Sequence, residues 1–171
     1  LLTNENRASS ARPRWVAIVL AAVLLLGLVA RLSLALRPPA ELTPVCLADD
    51  AFYYLRIAEH ILAGDGPTFD GLTATNGYHP LWMGVSLLAV FVTKSATAGA
   101  SVLLLLLALI GTANAYLLGR IAAKTLGETA GVVATVFWAL NPLVYFTELM
   151  GVEAPLMALL MTMVPGTAHG V

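Results

Sequence analysis

Long apolar runs separated by short polar breaks dominate the chain. Trp15 to Leu36 is apolar over 22 residues except for Arg31 and Ser33. At about 1.5 Å per residue such a run spans the roughly 30 Å hydrocarbon core of a bilayer. Leu81 to Thr93 is apolar for only 13 residues before Lys94, which is short for a crossing. Ala98 to Gly119 is long enough, and Arg120 and Lys124 follow it. Thr129 to Thr147 leads to Glu148 and Glu153, and Leu156 to Val164 reads as the start of another span. The pattern predicts a cytoplasmic tail over 1–14 and a transmembrane helix over 15–36. A polar external loop over 37–79 follows, then a short dipping or spanning helix over 80–97. Membrane helices are expected over 98–123 and 129–147, joined by a cytoplasmic turn at 124–128. An external acidic loop over 148–155 then leads into a truncated span at 156–171. The fold class is all-α, a polytopic transmembrane bundle with a partly helical first external loop.

Orientation follows from charge. Arg7, Arg12 and Arg14 precede the first span against only Glu5, which places the amino terminus in the cytoplasm. A cleaved signal peptide is the competing reading, with a shorter apolar region and a small-x-small site; Ser33 to Leu36 reads S-L-A-L, and an uncleaved anchor is expected. Arg31 is expected to snorkel toward the outer headgroups, the alternative being contact with a lipid phosphate. If 81–93 only dips, Arg120 and Lys124 fall inside and the glutamates outside, as the positive-inside rule favours. A full crossing reverses both.

Within 37–79, Arg37-Pro38-Pro39 stops the first helix. Asp49-Asp50 can cap a juxtamembrane helix of about 50–63, and Gly64-Asp65-Gly66-Pro67 ends it. Phe52, Leu55, Ala58 or Glu59, and Leu62 follow a three-to-four spacing, and Tyr54, Ile57, Ala58 and Ile61 make a neighbouring apolar stripe, so much of the helix can lie against membrane or protein. The stretch beyond is turn-rich and without sustained period.

Composition sharpens the class. Of 171 residues 59% are hydrophobic and only 11% charged, with mean hydropathy +0.86; a soluble domain carries about 25% charged residues. Lipid must therefore cover much of the surface. The net charge of −1 gives no case for nucleic acid. Cys46 stands alone, so no intrachain disulfide or cysteine zinc cluster is possible. The chain opens on Leu1 and stops at Val171 soon after an apolar run, so a longer protein is expected.

The loop holds six carboxylates, Glu41, Asp49, Asp50, Glu59, Asp65 and Asp70, against Arg37 and Arg56. Adjacent carboxylates beside a membrane repel, which suits one of Asp49 and Asp50 to act as a base near neutral pH; the plainer reading is a doubled helix cap with one solvated acid. Glu153 is either an interfacial acid facing water or, with the parity above, a partner of Asp49 on one face. His79, in His79-Pro80-Leu81-Trp82, could bind a phosphate or join the aspartates at a metal; otherwise it is a turn histidine beside an interfacial tryptophan. His60 is expected to be solvated. Asn76-Gly77 is a tight-turn pair. Tyr53, Tyr54 and Tyr78 fit belt aromatics as well as a sugar-stacking wall. Asn114, inside a span, is expected to bond another helix.

Ala48-Asp-Asp-Ala-Phe-Tyr-Tyr-Leu-Arg-Ile-Ala58, Thr68-Phe-Asp-Gly71, Thr75-Asn-Gly-Tyr-His-Pro-Leu-Trp82 and Gly151-Val-Glu153 together resemble the amino-terminal portion of bacterial GT-C glycosyltransferases. These are multi-spanning enzymes similar to protein O-mannosyltransferases and the lipid A aminoarabinose transferase. The resemblance covers roughly residues 15–160. It implies transfer of a sugar from a polyprenyl-phosphate carrier to a hydroxyl acceptor on the extracytoplasmic face of the inner membrane. It implies Asp49 as the catalytic aspartate, Asp50 as its companion and Glu153 as the second acidic motif. Arg56 and His79 would bind the donor phosphate, and Tyr53, Tyr54, Asn76, Tyr78 and Trp82 would line the substrate. A divalent metal on Asp49, Asp50 and His79 is an open option in such enzymes. Related enzymes often carry a basic residue three positions after the first aspartate, where this chain has Phe52. Two other classes fit a polytopic chain: a secondary transporter, whose ionisable groups belong near the midplane, and a non-enzymatic glycan-binding or assembly protein.

Overall fold

The computed structural model describes residues 14–163. Most of the proposed tail, with Arg7 and Arg12, and the end of the last proposed span lie outside the described residues. Eight helices follow in order among them: α1 (Arg14–Ala35), α2 (Pro39–Leu42), α3 (Asp49–Ala63), α4 (Pro80–Thr93), α5 (Ala96–Leu126), α6 (Glu128–Leu140), α7 (Pro142–Glu148) and α8 (Ala154–Met163). One isolated bridge joins Thr68 to Ala74. Two helices, α1 and α5, are long and apolar enough to cross a membrane, and the bent pair α6 and α7 is a third candidate. Among the described residues the fold is all-helical, with the apolar helices of a membrane protein.

α5 is the axis. Half of its most apolar window is buried within the protein against 11% of that of α1, which makes α1 peripheral. Small residues set what packs where, since missing side chains let helices approach closely. At Gly99 a Cβ would stand 3.2 Å from Leu55 of α3 and from Val90 of α4. At Gly119 it would run into Thr135 and Gly131 of α6. The first half of α5 therefore carries α3 and α4, and the second half carries α1 and α6. Its 31 residues measure about 46 Å, more than a bilayer core needs, so the helix outruns the 98–123 read from hydropathy.

The ends of the bundle differ. Ala17 and Leu20, near the start of α1, share a hollow with Tyr116 and Arg120 near the end of α5 and Thr135 of α6. Arg120 and Lys124 thus lie at the amino-terminal end of α1. The opposite end holds the main apolar cluster, with Leu42, Leu47, Leu55, Trp82, Leu103 and Leu149 all buried. α4, 14 residues long, packs chiefly on α3 and α5 at that end.

Three expectations are corrected. The run 129–147 is not one straight helix: it bends by 63° between α6 and α7. Pro142 has no N–H to give, so the carbonyl of Trp138 loses its helical partner, while the Asn141 side chain accepts from the Leu143 N–H at 3.0 Å and starts α7. Glu148 is helical and buried rather than part of an external loop. Arg31 does not snorkel; it is fully buried and paired with Glu148 at 2.8 Å.

Candidate functional site

Asp49 and Asp50 do not cap α3. Ala48 holds the extended N-cap position without a side-chain bond, and the two aspartates are the first helical residues. Acids there still favour the helix, because the first turn presents unpaired N–H groups and the positive end of the dipole. Gly64, at φ 96°, closes the helix in the left-handed conformation that glycine adopts without penalty. The buried face comprises Ala51, Tyr54, Leu55, Ile57 and Ala58. It takes Tyr54, Ile57 and Ala58 from one stripe and Leu55 from the other, while Ile61 is half-buried and Phe52 and Leu62 are exposed.

The 148–153 segment docks on the start of this helix. The Ala48 N–H donates to the Met150 carbonyl at 3.0 Å, and the Trp82 indole N–H donates to the Gly151 carbonyl at 3.2 Å. Gly151 has φ 81°, and a Cβ there would stand 2.5 Å from that of Ala51. Only glycine allows this approach, and it brings Glu153 within reach of α3 and of the start of α4.

Tyr54 is the hinge of the resulting cluster. Its hydroxyl donates to Glu153 Oε2 at 3.1 Å and accepts from the His79 N–H at 3.0 Å. The other Glu153 oxygen lies 3.1 Å from His79 Nε2. Burial, foremost, and the nearby charges of Glu153 and Asp50 push the Tyr54 phenol above its ordinary 10.0, against the lowering effect of the His79 N–H. The phenol therefore keeps its proton and stays a donor at neutral pH. Asp50, Tyr53, Tyr54, His79, Val152 and Glu153 surround a cleft of about 250 Å³.

The loop after α3 folds back beside this cleft. Tyr53 stacks on Phe69 with ring centres 5.2 Å apart, and its hydroxyl bonds Thr75 at 2.7 Å. Asp70 organises the turn: Oδ1 accepts from the N–H groups of Leu72 and Thr73, each at 2.8 Å, and from the Thr68 hydroxyl at 2.9 Å. Those donors hold its carboxyl at about 2, below the ordinary 3.8.

Other residues implied by the resemblance fall elsewhere. Asp49 is exposed at the helix start, where Oδ1 accepts from the Asp50 N–H at 3.1 Å, and it does not line the cleft. Arg56 pairs with Glu59 at 3.1 Å and faces a different hollow from His79. Trp82 is fully buried, Tyr78 packs partly buried against the core, and Asn76 is exposed outside the cleft lining. His60 is not solvated but meets Asp65 at 3.0 Å with only 13% of its side chain exposed. Asn114 does bond another helix, donating to the Pro155 carbonyl of α8 at 3.0 Å. Among the described residues no three His, Cys, Asp or Glu side chains gather as a metal site. Two residues of the cleft were missed from sequence, Gly77 and Val152; neither carries chemistry that would mark it.

No protein family, curated protein or solved structure matches the chain.

Proposed function

We propose that this chain carries the catalytic face of a membrane glycosyltransferase similar to the GT-C enzymes, moving a sugar from a polyprenyl-phosphate carrier to a hydroxyl acceptor outside the cell membrane. The observation that supports it is the convergence of Glu153, His79, Tyr54 and Asp50 on one cleft at the bundle end opposite Arg120 and Lys124. A greasy carrier reaches such a rim laterally through lipid, while its polar head stays in the loop region.

In this reading a carboxylate of the Asp49 and Asp50 pair takes the acceptor proton, and Asp50 is the member favoured by its position in the cleft. The acceptor oxygen attacks the anomeric carbon from the face opposite the phosphate. The carbon–oxygen bond to the phosphate breaks, its electron pair leaves with the polyprenyl phosphate, and the anomer inverts. Glu153 and Tyr54 orient His79, which donates toward the departing phosphate; stabilising charge that develops in the transition state is often the largest catalytic effect. Arg56 has no part in this cleft.

Membranes containing the protein, incubated with a labelled polyprenyl-phosphate sugar, test the reading. Transfer to an acceptor is expected, with Asp50→Asn slowing it by about 10²–10⁴-fold as loss of a general base does. Label accumulating inside vesicles would identify a transporter, and retention without chemistry would identify a binder. Normal transfer by both Asp49→Asn and Asp50→Asn would remove the couplet from the mechanism.

A further inference from the structure

Arg56, excluded from the Tyr54 cleft, sits in a second hollow of about 580 Å³ between the carboxyl-terminal ends of α3 and α4, together with Glu59, His60, Leu62, Phe91 and Lys94. The two carboxylates that line the hollow, Glu59 and Asp65, are engaged. Glu59 accepts from the Ala96 N–H at 3.0 Å with one oxygen and from Arg56 Nη1 at 3.1 Å with the other. Asp65 meets His60 Nδ1 at 3.0 Å. The cations keep donors in hand: Arg56 has Nε and Nη2 free of hydrogen bonds, and Lys94 has no carboxylate partner, its ammonium resting 3.9 Å above the Phe91 ring.

Lys94 is also the only non-glycine among the described residues with positive φ, at 59°. That conformation is strained for an L-residue, and glycine would adopt it freely. Lys94 thus ends α4 and lines the hollow with its cation. Beside it α4 leaves Leu88, Phe91 and Val92 at 63%, 56% and 68% exposure, an unpartnered apolar stripe at helical spacing.

Free cationic donors above an exposed apolar stripe, on a membrane protein, match one ligand chemistry: a phosphate joined to hydrocarbon. We infer that this hollow binds the headgroup of an anionic phospholipid, with its phosphate between Arg56 and Lys94 and its acyl chains along Leu88, Phe91 and Val92. The inference rests on the membrane setting and not on the glycosyltransferase reading, so either can fail alone.

The test is native mass spectrometry of the protein released from phosphatidylcholine vesicles titrated with phosphatidylglycerol. Wild type should retain phosphatidylglycerol in preference to phosphatidylcholine. Each cation near an anionic headgroup contributes about fivefold, so Arg56→Gln/Lys94→Gln should weaken retention about 30-fold while Arg120→Gln/Lys124→Gln does not. Lys94→Gly relieves the backbone strain, so it should fold at least as well as wild type and still lose about fivefold. Undiminished retention by Lys94→Gly overturns the assignment. So does equal retention of phosphatidylcholine, or a site that takes added polyprenyl phosphate and rejects phosphatidylglycerol.

Discussion

Arg31 and Glu148, 117 positions apart in the chain, meet at 2.8 Å inside the helix bundle, and neither is more than 5% exposed. The break at Pro142 explains the arginine. The Trp138 and Ala139 carbonyls, left open at the end of α6, accept from its Nη2 at 3.0 Å and its Nη1 at 3.1 Å. A cation at a helix carboxyl terminus also opposes the negative end of the dipole. The Tyr145 ring lies 4.5 Å from the guanidinium, and Trp138 Nε1 donates to the second Glu148 oxygen at 2.8 Å. Gly111 of α5 provides the space, since a Cβ there would stand 2.4 Å from Glu148 Oε2. The pair ties α1 to the bend that leads to Glu153.

Removing one partner should therefore cost more than replacing both. Glu148→Ala leaves a buried guanidinium uncompensated, and unfolding in detergent should show a loss of about 3–5 kcal/mol. Arg31→Met/Glu148→Leu should cost less than the sum of the single changes, because buried partners couple. Strict additivity would mean that the pair contributes nothing as a pair.

Gly151→Ala should destabilise by about 1–3 kcal/mol or more, since backbone strain and collision with Ala51 act together. Gly64→Ala provides the control. It has the same sign of φ but opens onto empty space, so only the strain, about 1 kcal/mol, should register. Sugar transfer should fall with the first substitution and not with the second.

The Asp70 turn should be sensitive to acid. Its folded carboxyl sits at about 2 against an ordinary 3.8, so the ionised form favours the folded turn. That contribution is complete above the ordinary value and is lost as pH falls from there through the folded value. Protection of the Leu72 and Thr73 amides against hydrogen exchange, measured relative to the intrinsic rate at each pH, should hold at about pH 5 and fall between about pH 4 and 2. Asp70→Asn should abolish that dependence; an unchanged profile would assign it to another group.

Tyr54→Phe removes the donor to one Glu153 oxygen and the acceptor for the His79 N–H. A hydrogen bond to a charged group is worth about 1.5–3 kcal/mol, so transfer should slow by about 10- to 150-fold. A melting temperature close to wild type would locate the loss in the cleft rather than in the fold.

Local rules made parts of this structure legible. The run of apolar residues gave α1 to within one residue at each end, and the turn at Gly64 gave the end of α3. The break at Asn141-Pro142 was readable too, but hydropathy alone passes straight through it. Arg31 was not, because whether an arginine snorkels or is buried depends on a carboxylate and two carbonyls far along the chain. The separation of Arg56 from His79 needed the helix direction: α3 carries Arg56 away from the cleft, while His79 returns to its start through a turn-rich loop. Trp82 could equally face lipid or core until Gly151 supplied its acceptor.

In the proposed function Glu153 and the α3 aspartates work on the extracytoplasmic face, away from Lys124. Single cysteines at 153 and 124, in a Cys46→Ser background, can be treated in intact cells with a membrane-impermeant maleimide. The native Cys46 is half-buried, and burial raises its thiol pKa, so it reacts weakly with maleimide and its replacement removes only a small background. Labelling of position 153 in intact cells, with position 124 labelled only after permeabilisation, is the predicted result. Position 153 reachable only from the cytoplasm would contradict the account.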